Sequence, residues 1–165
     1  MVRTRPLGLR GSDAVPRCEE SLRSAVHGVL HGLAALHAAG ICHRDLRWDN
    51  VACTLDRAYF LLDLEACAPD GTPTAAVLRC WDDHTLQPGP QGAVAVYTAA
   101  GDVRGVGLLM RECAERCAAS PSSRDFMARL LTEAVAARPT AREALKDPWL
   151  QCPGSSCIAA GRVSP

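Results

Sequence analysis

Lysine is almost missing from this chain: of 165 residues only Lys146 is one. Arginine carries the positive charge instead, and eighteen basic residues balance eighteen acidic ones. A net charge of zero gives no electrostatic case for nucleic acid or an anionic membrane as partner. No apolar run approaches the roughly 20 residues that a membrane-crossing helix needs. The N-terminus carries Arg3, Arg5, Arg10 and Arg17 but no apolar centre of a secretory signal. It reads as a solvated tail, with an organelle transit segment as the alternative. Aromatic residues make up only 4%, so the core has to be built from leucine, valine and alanine.

A hydrophobic fraction of 48% over this length supports one packed domain. Nine cysteines without a secretory signal read as reduced thiols, which places the chain in the cytoplasm. Cys113/Cys117 and Cys152/Cys157 are not backed by a second well-spaced pair, so zinc is not indicated. His27 and His31 lack the adjacent glutamate of a zinc-protease helix and read as helix-surface residues.

Residues 1–17 show no period and read as loop or disordered chain. From Glu19 to Ala39 the apolar residues Leu22, Val26, Val29, Leu30, Leu33 and Leu36 recur at helical spacing, with Gly40 as C-terminal cap. Ile41–Cys42, Val51–Thr54 and Tyr59–Asp63 read as short strands, the last two joined by a turn at Asp56-Arg57. Residues 66–101 are rich in Pro, Gly, Ala and Thr and read as irregular. A helix follows over 102–118, burying Val103, Val106, Leu109, Met110 and Cys113 on one face. Helices at 123–146 bury Phe126, Leu130 and Leu131. In Thr140-Ala141-Arg142-Glu143 the first and last residues form a capping box. Residues 151–165 read as a disordered tail.

The motif that organises the chain is His43-Arg44-Asp45-Leu46-Arg47-Trp48-Asp49-Asn50, which fits H-R-D-L-x-x-x-N. Asp63-Leu64-Glu65 follows thirteen residues after Asn50, where a D-F-G would stand. Asp102-Val103-Arg104-Gly105-Val106-Gly107 is similar to D-V-W-S-L-G, Arg138-Pro139-Thr140 matches R-P-T, and Asp147-Pro148-Trp149 is similar to H-P-W. On these residues the chain resembles the protein kinase superfamily, specifically the C-terminal lobe of a Ser/Thr kinase spanning 18–150. The resemblance implies an α+β, mainly helical fold with a small β hairpin around the catalytic loop 43–50, and an activation segment over 63–101.

It also implies roles. Asp45 would take the substrate hydroxyl's proton, with Arg44 and Arg47 beside it, and Asn50 and Asp63 would hold Mg against the phosphates of ATP. Ala52 would floor the adenine site. His43, Asp102 and Arg138 would be structural, Asp102 by bonding the loop backbone. Arg44 would receive a phosphorylated Thr72, Thr74 or Thr85.

The departures are as informative. There is no G-x-G-x-x-G, and the lone lysine lies in the last helix, so the resemblance implies that the N-terminal lobe is absent. Glu65 replaces a glycine, and no glutamate lies between Glu65 and Glu112, leaving Arg138 without its usual partner unless Asp82 or Asp83 substitutes. Two functions are weighed: an ATP-dependent Ser/Thr protein kinase that is inactive as an isolated lobe, and a pseudokinase-like interaction module without catalysis. A Cys/His metal-binding protein is a distant third. The expected partner is a protein, as substrate or as binding partner, with self-association through the surface that an N-terminal lobe would cover; neither nucleic acid nor membrane is expected.

Overall fold

The structure, a computed structural model, describes residues 9–10, 14–74, 80–90 and 93–151. Its longest element is α1 (Glu19–Ala38), preceded by β1 (Leu9–Arg10). Cys18 enters α1 in an extended conformation, and the Ser21 hydroxyl accepts the Cys18 N–H at 3.2 Å. Glu19 and Glu20 in the first turn favour the positive end of the helix dipole. The helix stops at Gly40, whose φ of 72° suits glycine. Leu22, Val26, Val29, Leu30 and Leu33 are buried as the spacing predicts, while Leu36 is half-buried.

β2 (Ile41–Cys42) leads into the 43–50 loop, which closes with a 3-10 turn at Trp48–Asn50. β3 (Val51–Cys53) and β4 (Tyr59–Leu61) form the expected antiparallel hairpin, with Val51 opposite Leu61. β4 packs across α1. A Cβ on Gly28 would stand 2.1 Å from the Tyr59 carbonyl oxygen, so only glycine permits that approach.

β1 joins the hairpin as an edge strand, pairing Leu9 with Cys53 and Arg10 with Ala52. Residues 9–10 are therefore strand, not the loop expected over 1–17. A two-residue strand has too few positions for an alternating pattern to show. The 63–101 segment also holds more structure than its composition suggests. β5 (Ala68–Pro69) pairs with β2, and β6 (Thr72–Pro73) pairs with β7 (Val96–Tyr97). The tail expected at 151–165 lies outside the described residues except for Gln151, which ends a helix.

α2 (Ala99–Cys113) starts three residues before Asp102 and ends sooner than 118, in a turn. It is not one-faced: every residue from Gly101 to Met110 is buried, Arg104 included. Glycine makes this possible, since a Cβ on Gly105 would meet the Leu46 side chain at 2.9 Å. α3 (Pro121–Leu130) is capped by the Ser120 hydroxyl, which accepts the Ser123 N–H. The span expected as helices to 146 continues as a 3-10 turn at Val135–Ala137, then α4 (Ala141–Ala144) and α5 (Pro148–Gln151). α4 carries the capping box: Glu143 Oε2 accepts the Thr140 N–H at 2.9 Å, and Thr140 Oγ1 accepts the Glu143 N–H at 3.2 Å.

The main core joins α1, α2, α3 and α5 to the hairpin, and Cys42, Trp81 and Tyr97 form a smaller cluster beneath the 63–101 segment. Among the described residues no helix is long and apolar enough to cross a membrane. Among the described residues this α+β arrangement of five helices and small antiparallel sheets is compatible with a kinase-like lobe.

Candidate functional site

The 43–50 loop is held from behind by one buried carboxylate. Asp102, fully buried on α2, accepts four hydrogen bonds. Its Oδ2 takes the His43 N–H at 2.8 Å and His37 Nε2 at 2.9 Å, and its Oδ1 takes the Arg44 N–H at 2.9 Å and the Tyr97 hydroxyl at 2.8 Å. Two backbone amides of the loop are thereby fixed to the centre of the core, and a charge buried this deeply is satisfied at both oxygens.

His43, also fully buried, ties the loop to the end of β4. Its Nδ1 lies 3.3 Å from the Asp45 N–H and its Nε2 lies 3.0 Å from the Leu62 carbonyl. An amide donor on one nitrogen and a carbonyl acceptor on the other require the proton on Nε2. The Leu62 N–H in turn donates to the Asn50 carbonyl at 2.8 Å. Asp63, the next residue, is thus anchored to both ends of the loop.

Asn50 is buried and gives its side-chain amide to Asp45 twice, to the carbonyl at 2.9 Å and to Oδ2 at 2.7 Å. The other oxygen of Asp45 meets Cys80, whose thiol donates to Oδ1 at 3.3 Å. Burial and the Asp45 carboxylate push the Cys80 thiol up to about 12, so it stays a protonated donor. Asp45 and Asp63 both line an open cleft of about 620 Å³, with Arg47, Glu65, Arg111 and Glu112 around it. Burial raises the Glu112 carboxyl above its ordinary range.

Arg44 and Asp63 adopt left-handed backbone, at φ 73° and 59°. Such conformations cost about 1–3 kcal/mol for a residue bearing a side chain and persist where the surroundings enforce them. For Arg44 those surroundings are clear. Asp102 holds its N–H, the Trp81 indole donates to its carbonyl at 2.7 Å, and its guanidinium lies over the Trp81 and Tyr97 rings at 5.7 and 5.8 Å.

Other expected site residues are placed differently. Ala52 is not an open floor: it lies in the middle of the three-stranded sheet and is fully buried. Arg47 lines the cleft but bonds Asp49. Arg138 does not pair with Asp82. Arg104 takes both oxygens of Asp82, at 2.6 and 2.7 Å, and holds that carboxyl down at about 2. Arg138 donates instead to the carbonyls of Thr132, Ala100, His84 and Glu133. Of the threonines, Thr74 Oγ1 is 3.4 Å from Arg44 Nη2, Thr72 donates to the Pro69 carbonyl, and Thr85 is buried against Asp82.

Sequence reasoning missed Cys80, Trp81, Tyr97 and His37. Nothing in the composition of 66–101 marks Cys80 or Trp81, whereas His37 at the end of α1 and Tyr97 before α2 sit where short reach to Asp102 is natural.

No family model matches the chain. It is 34% identical over 142 residues to Crinkler effector protein 8 of Phytophthora infestans, an alignment covering 83% of this chain and 23% of that protein. It is 29% identical over 161 residues to the serine/threonine-protein kinase PAK 4 of Mus musculus, covering 80% of this chain and 27% of that one. This chain is distantly similar to a serine/threonine kinase. It spans about a quarter of the length of the curated relatives it matches.

A kinase relative implies ATP and magnesium in general, and the cation half of that pair can be tested on the residues present. Asn50 spends its amide on Asp45, which leaves its carbonyl oxygen uncommitted among the described contacts. Asp63 is exposed and uses only Oδ1, which accepts the Glu65 N–H at 3.2 Å. Hard oxygen donors of this kind suit Mg, which is bound by one or two protein ligands together with phosphate oxygens. No group of three or more His, Cys, Asp or Glu side chains able to hold a metal occurs among the described residues, and a phosphate-shared ion does not need one. The oxygen donors of Asp63 and Asn50 suit the cation chemically, although Asn50 is buried and does not itself line the cleft; the buried Ala52 offers no open surface to an adenine.

Proposed function

We propose that this chain is the C-terminal lobe of a protein-kinase-like domain, with a loop arranged for phosphoryl transfer from Mg-ATP to a Ser/Thr hydroxyl. The observation that carries the reading is the pinning of Asp45 by the Asn50 amide beside a cleft that Asp63 also lines. ATP, when bound, supplies the transferable phosphoryl group, with magnesium neutralising its charge. The chain's own part is narrower. Asp45 Oδ1 accepts a hydroxyl proton at the place where the Cys80 thiol now donates, Asn50 fixes the rotamer of Asp45, and Asp63 offers an oxygen to the cation.

Taken by itself, the 165-residue chain binds Mg-ATP weakly and transfers no phosphate. Its lone lysine, Lys146, is in the turn after α4, no glycine-rich loop is present, and Ala52 is closed. Phosphoryl transfer depends on positioning and on electrostatic stabilisation, and each lost contribution costs about two or more powers of ten. The test is transfer from radiolabelled ATP to a generic Ser/Thr substrate, with Asp45→Asn as control. No signal is expected from either protein; a signal that vanishes in Asp45→Asn would establish a one-lobe kinase.

A pseudokinase-like module is the second reading, favoured by the exposed Glu65 carboxylate at the mouth of a cleft meant for phosphates. Its partner would be a protein or a second copy of the chain, meeting it at Leu64, which is 58% exposed there. Cys42, Cys53, Cys67, Cys80, Cys113 and Cys117 are in no disulfide, and the cytoplasmic setting stays part of the proposal.

A further inference from the structure

Away from the cleft, the end of α1, the first turn of α2 and residues 138–142 enclose a groove of about 500 Å³. Its walls are apolar, formed by Ala34, Ala38, Ala99, Ala100, Val103 and Pro139. Its polar lining is one-sided: His37, Arg138, Thr140 and Arg142, with no carboxylate. Size, apolar walls and a few converging polar groups are the features of a small-molecule site.

Arg138 distinguishes this groove from a mere gap between alanines. It is 7% exposed, and its guanidinium makes four hydrogen bonds, all to backbone carbonyls. A guanidinium has five N–H donors, so one on Nη1 is uncommitted. No carboxylate bonds it among the described residues, because Arg104 holds Asp82. Burial and the neighbouring Arg104 charge lower its pKa, only partly opposed by the Asp82 carboxylate that Arg104 holds. Arg142, at the rim, is exposed.

We propose that the groove binds a small amphiphilic carboxylate, its apolar chain along the alanine walls and its head at Arg138 and Arg142. One spare N–H on a buried lining residue and one cation at the rim match a monoanion with two oxygens; an apolar wall of this size matches a medium-length hydrocarbon. His37 also lines the groove and bonds Asp102 at 2.9 Å, so occupancy is felt one contact away from the His43 and Arg44 amides.

The probe is octanoate, titrated into the isotopically labelled full chain and followed by amide chemical shifts, with 1-octanol and inorganic phosphate alongside. Octanoate should saturate, shifting residues of the groove and the His43 and Arg44 amides. Octanol should bind about ten- to a hundredfold more weakly, the loss of a charge-assisted hydrogen bond, and phosphate should not saturate. Ala38→Trp, at an exposed wall position, should abolish octanoate binding while leaving the melting curve in place. Arg142→Gln should bring octanoate towards the octanol value, and it serves alone if Ala38→Trp fails to fold. Equal binding of octanoate and octanol, saturation by phosphate, an unaffected variant, or no saturation by octanoate would each overturn the proposal.

Discussion

The floor and the mouth of the cleft are built on different terms. At the floor, Asp102, His43 and Asn50 are buried; the first two bond other segments, and Asn50 ties the far end of the loop back to Asp45. At the mouth, Asp63, Leu64 and Glu65 are exposed in succession, and the Glu65 N–H to Asp63 contact is local. Stability therefore rests on fixing where the loop backbone runs, while the exposed Asp63 and Glu65 add little to it. A chain of this design retains a shaped loop whether or not it retains catalysis.

The sharpest way to break this comparison is at Asp102. Asp102→Ala leaves the His43 and Arg44 amides, the Tyr97 hydroxyl and the His37 ring without their acceptor. The expected loss is about 3–5 kcal/mol in urea unfolding, a large share of a small domain's stability. A loss below about 1 kcal/mol would mean the loop is held by something else.

Next in size is Gly28→Ala. The new methyl would lie on the Tyr59 carbonyl, 2.1 Å away, so α1 and β4 must part beneath the hairpin that carries Asn50 and Leu62. Overpacking of this kind costs about 1–3 kcal/mol. An unchanged melting temperature would show that the hairpin is not seated on α1 as described.

The mouth has one braced point, Asp82 on Arg104, and pH probes it. The folded carboxyl is held at about 2, below its ordinary 3.8. Its contribution is therefore fully present above pH 3.8 and disappears as the pH falls through about 2. The amount is about 1–2 kcal/mol. Urea midpoints measured at pH 5 and pH 3 should lie closer together in Asp82→Asn than in the parent; an identical drop in both would remove Asp82 from the account.

Legibility in the amino-acid sequence follows the same division. α1 was legible because six apolar residues repeat over one long helix, the box at Thr140 because its chemistry is local, and Asp102 because a resemblance pointed to it. The short strands were not, since two residues cannot show a period and their pairing is decided by partners distant in the chain. The exchange of Arg104 for Arg138 as partner of Asp82 was hidden because an arginine in a helix reads as a surface residue until the helix proves buried all round. Cys80 was hidden because a half-buried thiol gains its meaning only from Asp45 lying 3.3 Å away.

The smallest effect should be the most telling. Asp63 sits at φ 59° with an exposed side chain, so its conformation is one that glycine adopts freely and aspartate does not. Asp63→Gly removes a local contact of 3.2 Å to the Glu65 N–H and relieves the left-handed backbone. Against the greater freedom of glycine in the unfolded chain, the net change is a gain of about 0.5 kcal/mol. Asp63→Ala keeps the Cβ and loses the contact, and should be the less stable of the two. Denaturant midpoints of the three proteins order these effects, and magnesium-dependent ATP binding should fall in both variants. If instead Asp63→Gly destabilises by more than about 1 kcal/mol, the mouth is braced like the floor. If the order holds, a carboxylate is kept in a left-handed conformation at a net cost to stability, as the proposed cation-binding role for Asp63 requires.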